Sequence, residues 1–289
     1  MLQTLRPVLV SVLMALAAGA AHAQPPLWVV HGPHATVVLF GSVHLLPPGL
    51  DWEPPRLAQA ARQARDIWFE VPLDDAAALT AAQIAVERGL QPPGAKLDAQ
   101  LSDAGRARLA RVAQADGVAS DDLQNLRPWL AEITLSLAGY RKVGAVQDQG
   151  VEHQLGANLS AQIQRRAFET PREQIEALST TPVPDQVASL EETLVELEAG
   201  DAGYGQLIKA WMAGDVAGLK RQALDPLMTG APGVYRAMVV DRNRRWVDAI
   251  EARLKGSGEA LMVVGVGHLI GPDGLPALLR AKGLPVEGP

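Results

Sequence analysis

The chain contains no cysteine. That excludes disulfides, cysteine-held metals and thiol nucleophiles together. Aromatic residues make up only 4 % of the 289 positions, so the core must be built mainly from aliphatic side chains. No charge of one sign dominates. The net charge is −6, with acidic and basic residues interleaved, which argues against a nucleic-acid surface and against a charged tail. After residue 23 no apolar run approaches the roughly 20 residues that span a bilayer. There is also no Gly-x-Ser-x-Gly elbow for a serine nucleophile.

What is present begins with a leader. "MLQTLRPVLVSVLMALAAGAAHAQ" has one positive charge (Arg6), an apolar stretch from Val8 to about Ala21, and the small-x-small ending Ala21-His22-Ala23. This is the layout of a cleaved secretory signal over residues 1–23, with Gln24 opening the mature chain. No cysteine follows the cleavage point, so an acylated lipoprotein is excluded. The expectation is a periplasmic or secreted protein without a membrane span after cleavage. Residues 24–289 are long enough to bury one large core without disulfides.

The mature chain reads as α/β with a helical insertion. "LWVVHGPHATVVLFG" predicts an antiparallel hairpin around a Gly-Pro turn. A short helix, "PRLAQAARQAR", and a strand, "DIWFEV", come next. From Asp74 to about Gln164 the pattern is helical. "RRAFET" then reads as a strand, with further helices at roughly 183–199, 204–213 and 233–255. The last unit is the strand "EALMVVGVG" and the helix "LPALLRAKG". Strand and helix alternate at both ends while the middle is nearly all helix, so two similar α/β halves facing a shared cleft are expected.

The halves share a motif. "GSVHLLPPGL" from Gly41 and "GVGHLIGPDGL" from Gly265 both read Gly-x-x-His-Leu, and each follows an apolar strand. A lone Gly-x-x-His is common and a strand-end His is usually structural; the repetition is what singles out His44 and His268. Glu70 and Glu169 also end apolar strands. In a parallel sheet ligands bind beyond the strands' carboxyl ends, so two imidazoles and two carboxylates would converge there. Two His and one carboxylate are a common ligand set for a catalytic divalent ion, such as manganese, cobalt or zinc. With His44, His268 and Glu70 as ligands, Glu169 is left to take a proton from bound water, though the two carboxylates are interchangeable on this reading. Glu169 also has a plain alternative, as the residue before a helix capped by Thr170 with Pro171 in its first turn. His31, His34 and His153 are unrepeated and read as structural or exposed. On the helix after Tyr235, Val239, Trp246, Ile250 and Leu254 mark the inward face. Asn243 lies on the same stripe beside Arg242. Either one ties down a neighbouring loop or steadies an oxyanion.

Taken in order, these residues resemble the TraB/GumN family, which includes the TIKI-type metalloproteases. The resemblance rests on "LFGSVHLLP", "VVGVGHLIGPDGL", Glu70 in "WFEV", Glu152 in "GVE", Glu169 in "FET", "WMAGD" from Trp211 to Asp215, and the pair Arg242-Asn243. Phe168 departs from the family's usual Leu. The resemblance implies a fold similar to the erythromycin-esterase and ChaN-like group and a divalent-metal-dependent peptidase that needs both His motifs. A peptide or protein would be the substrate. A non-catalytic protein that captures a peptide, haem or metal is the alternative.

Overall fold

In the computed structural model the residues described are 24–289; the expected signal, residues 1–23, lies outside them. Strand β1 (Leu27–His31) pairs antiparallel with β2 (Ala35–Ser42), as the Gly-Pro turn predicts. With β3 (Asp66–Phe69), β4 (Gln164–Ala167), β5 (Gly258–Gly265) and β6 (Val286–Glu287) they form one sheet in the order β4-β3-β5-β2-β1-β6. The four strands from β4 to β2 run parallel, and the antiparallel strands are confined to the other side. Ala260 to Val264 of β5 are all buried, the continuous apolar run of a strand covered on both faces.

β2 and β5, the two strands that carry the repeated motif, are direct neighbours with Ser42 opposite Gly265. The two motif-bearing units therefore stand side by side in one continuous sheet. They do not face each other across a cleft, and what they share is the carboxyl edge of that sheet.

Helix α1 (Pro55–Gln63) links β2 to β3. Between β3 and β4 run α2 (Asp75–Gly89), α3 (Asp103–Asp116), α4 (Ser120–Leu123), α5 (Pro128–Lys142) and α6 (Val151–Asn158). After β4 come α7 (Pro171–Ser179), α8 (Val183–Glu198), α9 (Asp201–Met212), α10 (Val216–Leu219), α11 (Asp225–Gly230), α12 (Pro232–Tyr235) and α13 (Asp241–Leu254). Helix α14 (Leu275–Ala281) closes the last unit. A π-helical turn, Arg236–Val240, joins α12 to α13 without a break. Among the described residues no helix is long and apolar enough to cross a membrane.

Among the described residues two hydrophobic cores result. The larger surrounds the sheet and includes Trp28, Trp211 and Trp246. The smaller, with Leu97, Leu109, Leu123, Leu135, Leu190 and Leu194, lies among the helices. Leu190 and Leu194 belong to α8, so the helical part expected at about 74–164 is completed by a helix that comes after β4.

Candidate functional site

The four parallel strands bring the expected residues to one edge. Glu70 directly follows β3, and Glu169 stands beside it because the ladder continues, Phe168 N donating to Phe69 O (3.0 Å) and Glu169 N to Glu70 O (3.0 Å). Glu169 is at once the expected site residue and the residue before a capped helix. Thr170 and Glu173 form a capping box at the start of α7, with Pro171 in its first turn. His268 lies in the turn after β5, and His44 two residues beyond β2. The "GVE" segment explains itself in this setting. A side chain at Gly150 would begin 2.0 Å from the His44 carbonyl oxygen, so only glycine lets α6 start there. Val151 N then donates to Val43 O (3.1 Å), and Glu152 reaches back to His44.

At the centre is Arg242, 2 % exposed. Its Nη2 donates to Glu70 Oε2 (2.7 Å) and also to Glu169 Oε1; its Nε donates to both Glu169 oxygens (3.0 and 3.1 Å). Nη1 donates to Met238 O (3.1 Å) and to His268 Nε2 (3.0 Å). The guanidinium lies over the Trp246 ring, 4.7 Å from its centroid. All five N–H groups of a guanidinium are thus engaged.

Asn243 is equally committed. Its Nδ2 donates to the carbonyls of His268 (3.1 Å) and Asp273 (2.7 Å), so its Oδ1 accepts from His268 Nδ1 (2.7 Å). That fixes the proton of His268 on Nδ1 and leaves the Nε2 lone pair toward Arg242. Burial holds the ring neutral and pushes its pKa down to about 3. The oxyanion role expected of Arg242 or Asn243 does not match this packing, since neither has an N–H left to offer. As packed, both hold their neighbours in place.

Glu70 Oε1 accepts from Gly265 N (2.7 Å) and lies 3.8 Å from His268 Nε2. Burial opposes its ionisation, but the Arg242 guanidinium, the His44 charge and the Gly265 N–H together hold the carboxyl well below the usual range. Burial pushes Glu169 up, against the pull of Arg242. A side chain at Gly265 would start 3.2 Å from both Glu70 Oε1 and His44 Nε2, so this glycine keeps the two groups in reach of each other.

His44 differs from its counterpart. Its side chain is 56 % exposed. Its Nδ1 lies 2.8 Å from Glu152 Oε1, which also accepts from the buried Ser42 Oγ (2.5 Å). The Glu152 charge raises the His44 pKa to about 9, in spite of some desolvation. Among the described residues none bonds its Nε2.

Three ligands need three free lone pairs aimed at one point. Arg242 engages His268 Nε2, Glu70 Oε2 and both oxygens of Glu169, so His44 Nε2 and Glu70 Oε1 are what remains. Among the described residues no three His, Asp or Glu side chains are grouped to hold an ion. As packed, the expected set of His44, His268 and Glu70 does not fit a divalent metal.

Several supporting residues escaped sequence reasoning. Ser42 sat inside the motif without a partner to suggest its role. Gln174 of α7 donates to Glu70 Oε2 (3.4 Å) and carries no sequence signal. Trp246 packs against His268, ring centroids 4.4 Å apart, and Phe168 stacks on it at 4.9 Å. Trp211 donates to Gly41 O (2.7 Å) and Asp215 caps α10, which gives the "WMAGD" segment a structural reason. His34 and His153 are exposed, and His31 pairs with Glu287 at 3.1 Å.

The fold is a mixed α/β sheet whose four parallel strands carry a polar cluster beyond their carboxyl ends, the edge at which open α/β sheets generally bind ligands. The particular family emerges from comparison. The TraB/PrgY/gumN family model matches residues 26–288, nearly the whole chain, and the chain belongs to that family. No match was found among curated proteins or solved structures.

Proposed function

We propose that this chain is an exported hydrolase, that its substrate meets His44 at the carboxyl edge of the sheet, and that the bond broken is a peptide amide. One observation carries the reading, the contrast between the two histidines of a repeated motif. His268 is buried, neutral and fully bonded. His44 offers an unbonded Nε2 to solvent with a carboxylate fixed behind its Nδ1. A carboxylate behind one ring nitrogen and an open nitrogen in front is an arrangement suited to moving protons. With Glu152 keeping the proton on Nδ1, neutral His44 takes a proton from water at Nε2 while the water oxygen adds to the carbonyl carbon. The same proton passes to the amine nitrogen as the C–N bond breaks. The amide as substrate and the export rest on the resemblance to TIKI-type proteases and on the leader.

The test is digestion of an unbiased peptide mixture by the mature protein, with new termini counted by mass spectrometry. Manganese, cobalt and zinc are added in separate arms. Wild-type protein cleaves and a folded His44→Ala variant does not. A second reading, a non-catalytic binding protein, is favoured by the absence of a free N–H on Arg242 and Asn243. Wild-type protein that cleaves nothing in any arm yet retains a peptide, haem or metal supports that reading instead.

A further inference from the structure

We propose that Arg242 is itself the cation of this site, held permanently where a divalent ion would have to bind, so that the native chain carries no resident metal there. The inference does not depend on the hydrolase reading.

The position comes first. Two carboxylates and an imidazole lone pair are the donors a divalent cation seeks, and here each faces an N–H of one guanidinium. Glu169 is bound two-pronged, the geometry that suits Arg rather than a point charge. Charge comes second. Glu70 and Glu169 would both be costly to bury unpaired. Arg242 supplies the positive charge between them, and an ion arriving beside it would meet a like charge a few ångströms away. The third observation is the lock. Met238 O, in the π-helical turn before α13, holds Nη1, and the Trp246 ring lies under the guanidinium plane. Freeing the carboxylates would mean breaking all five N–H bonds and the ring contact together. His268 takes part only as a neutral acceptor, its other nitrogen tied to Asn243.

The experiment is calorimetric titration of the mature protein with manganese, cobalt and zinc salts, beside His44→Ala and His268→Asn. The expected result is no ion whose binding depends on these histidines. An ion whose affinity ignores both substitutions sits elsewhere and leaves the inference standing. One ion per chain in the wild type, lost in both variants, overturns it. Arg242→Ala opens the converse test. The emptied place should take free guanidinium, raising the melting temperature of the variant but not of the wild type at millimolar concentration. It should also take zinc or manganese about tenfold or more tighter than the wild type does. A folded Arg242→Ala chain that gains neither affinity overturns the inference as well. If that variant does not fold, the wild-type titration with the two histidine variants still decides.

Discussion

Glu152 holds a proton on His44, and the sign of its effect can be traced through pH. Folding raises the His44 pKa from 6.5 to about 9 through the charge of Glu152. The contribution to stability is therefore complete below about 6.5 and fades as pH climbs through about 9. More than half of the ring is open to solvent, so the coupling is better read as a titration than as an energy. In Glu152→Gln the titration of the His44 ring, monitored by NMR, should fall from about 9 toward the ordinary 6.5. If neutral His44 is the base, the rising limb of kcat/KM moves to lower pH by the same amount. An unshifted titration in that variant would show that the carboxylate does not act on this ring. His268 runs the other way. The unfolded chain takes up its proton near 6.5 and the folded one only near 3, so acid between those values costs stability.

Between α5 and α8 a buried carboxyl makes the helical part respond to pH. Glu132 Oε1 accepts from Ser189 Oγ (2.9 Å) and Thr193 Oγ1 (3.0 Å), both on α8. Burial pushes its pKa up to about 7; the two hydroxyls pull it back and Glu196 adds to the rise. The folded state thus binds a proton between 4.5 and about 7 that the unfolded chain does not hold. That gain is complete below the lower value and is lost as pH rises through the upper one. Glu132→Gln keeps an acceptor for both hydroxyls and removes the charge. Its melting temperature at pH 8 should exceed that of the wild type, at roughly 2–4 °C for each kcal/mol recovered. Near pH 4.5 the difference should vanish. Calorimetry at the two pH values checks this, and a variant less stable at pH 8 would count against a buried, charge-sensitive Glu132.

The Ala21-His22-Ala23 ending predicts that the exported protein begins at Gln24, and the intact mass from a periplasmic fraction reads this directly. A mass that retains residues 1–23 would mean an anchored protein. Much of the architecture was legible in the order of residues. Parallel strands present their carboxyl ends together, so His44, Glu70, Glu169 and His268 share one edge if their strands lie parallel and adjacent, as β2, β3, β4 and β5 do. The inward stripe of α13 likewise announced that Arg242 and Asn243 sit at a polar point in a buried face. Three things were not legible, each for a physical reason. The contact of Glu152 with His44 spans 108 residues and depends on the close approach at Gly150. The different surroundings of the two motif histidines come from their neighbours, Asn243 and Arg242 for one and Glu152 for the other, which a motif does not encode. The closure of the helical core by α8 required knowing that β4 lies at the end of the sheet.

The π-helical turn at Arg236–Val240 makes the length of this stretch matter as much as its composition. A wide turn of this kind holds one residue more than an α-helix along the same path. Each residue gained or lost rotates the downstream helix by roughly 100° about its axis. The wide turn absorbs one such step, so losing its extra residue would leave α13 facing as it does, whereas a further residue inserted between Tyr235 and Arg242 would swing the guanidinium away from Glu70 and Glu169, although no site residue had been changed. Insertions in this stretch should therefore be counterselected.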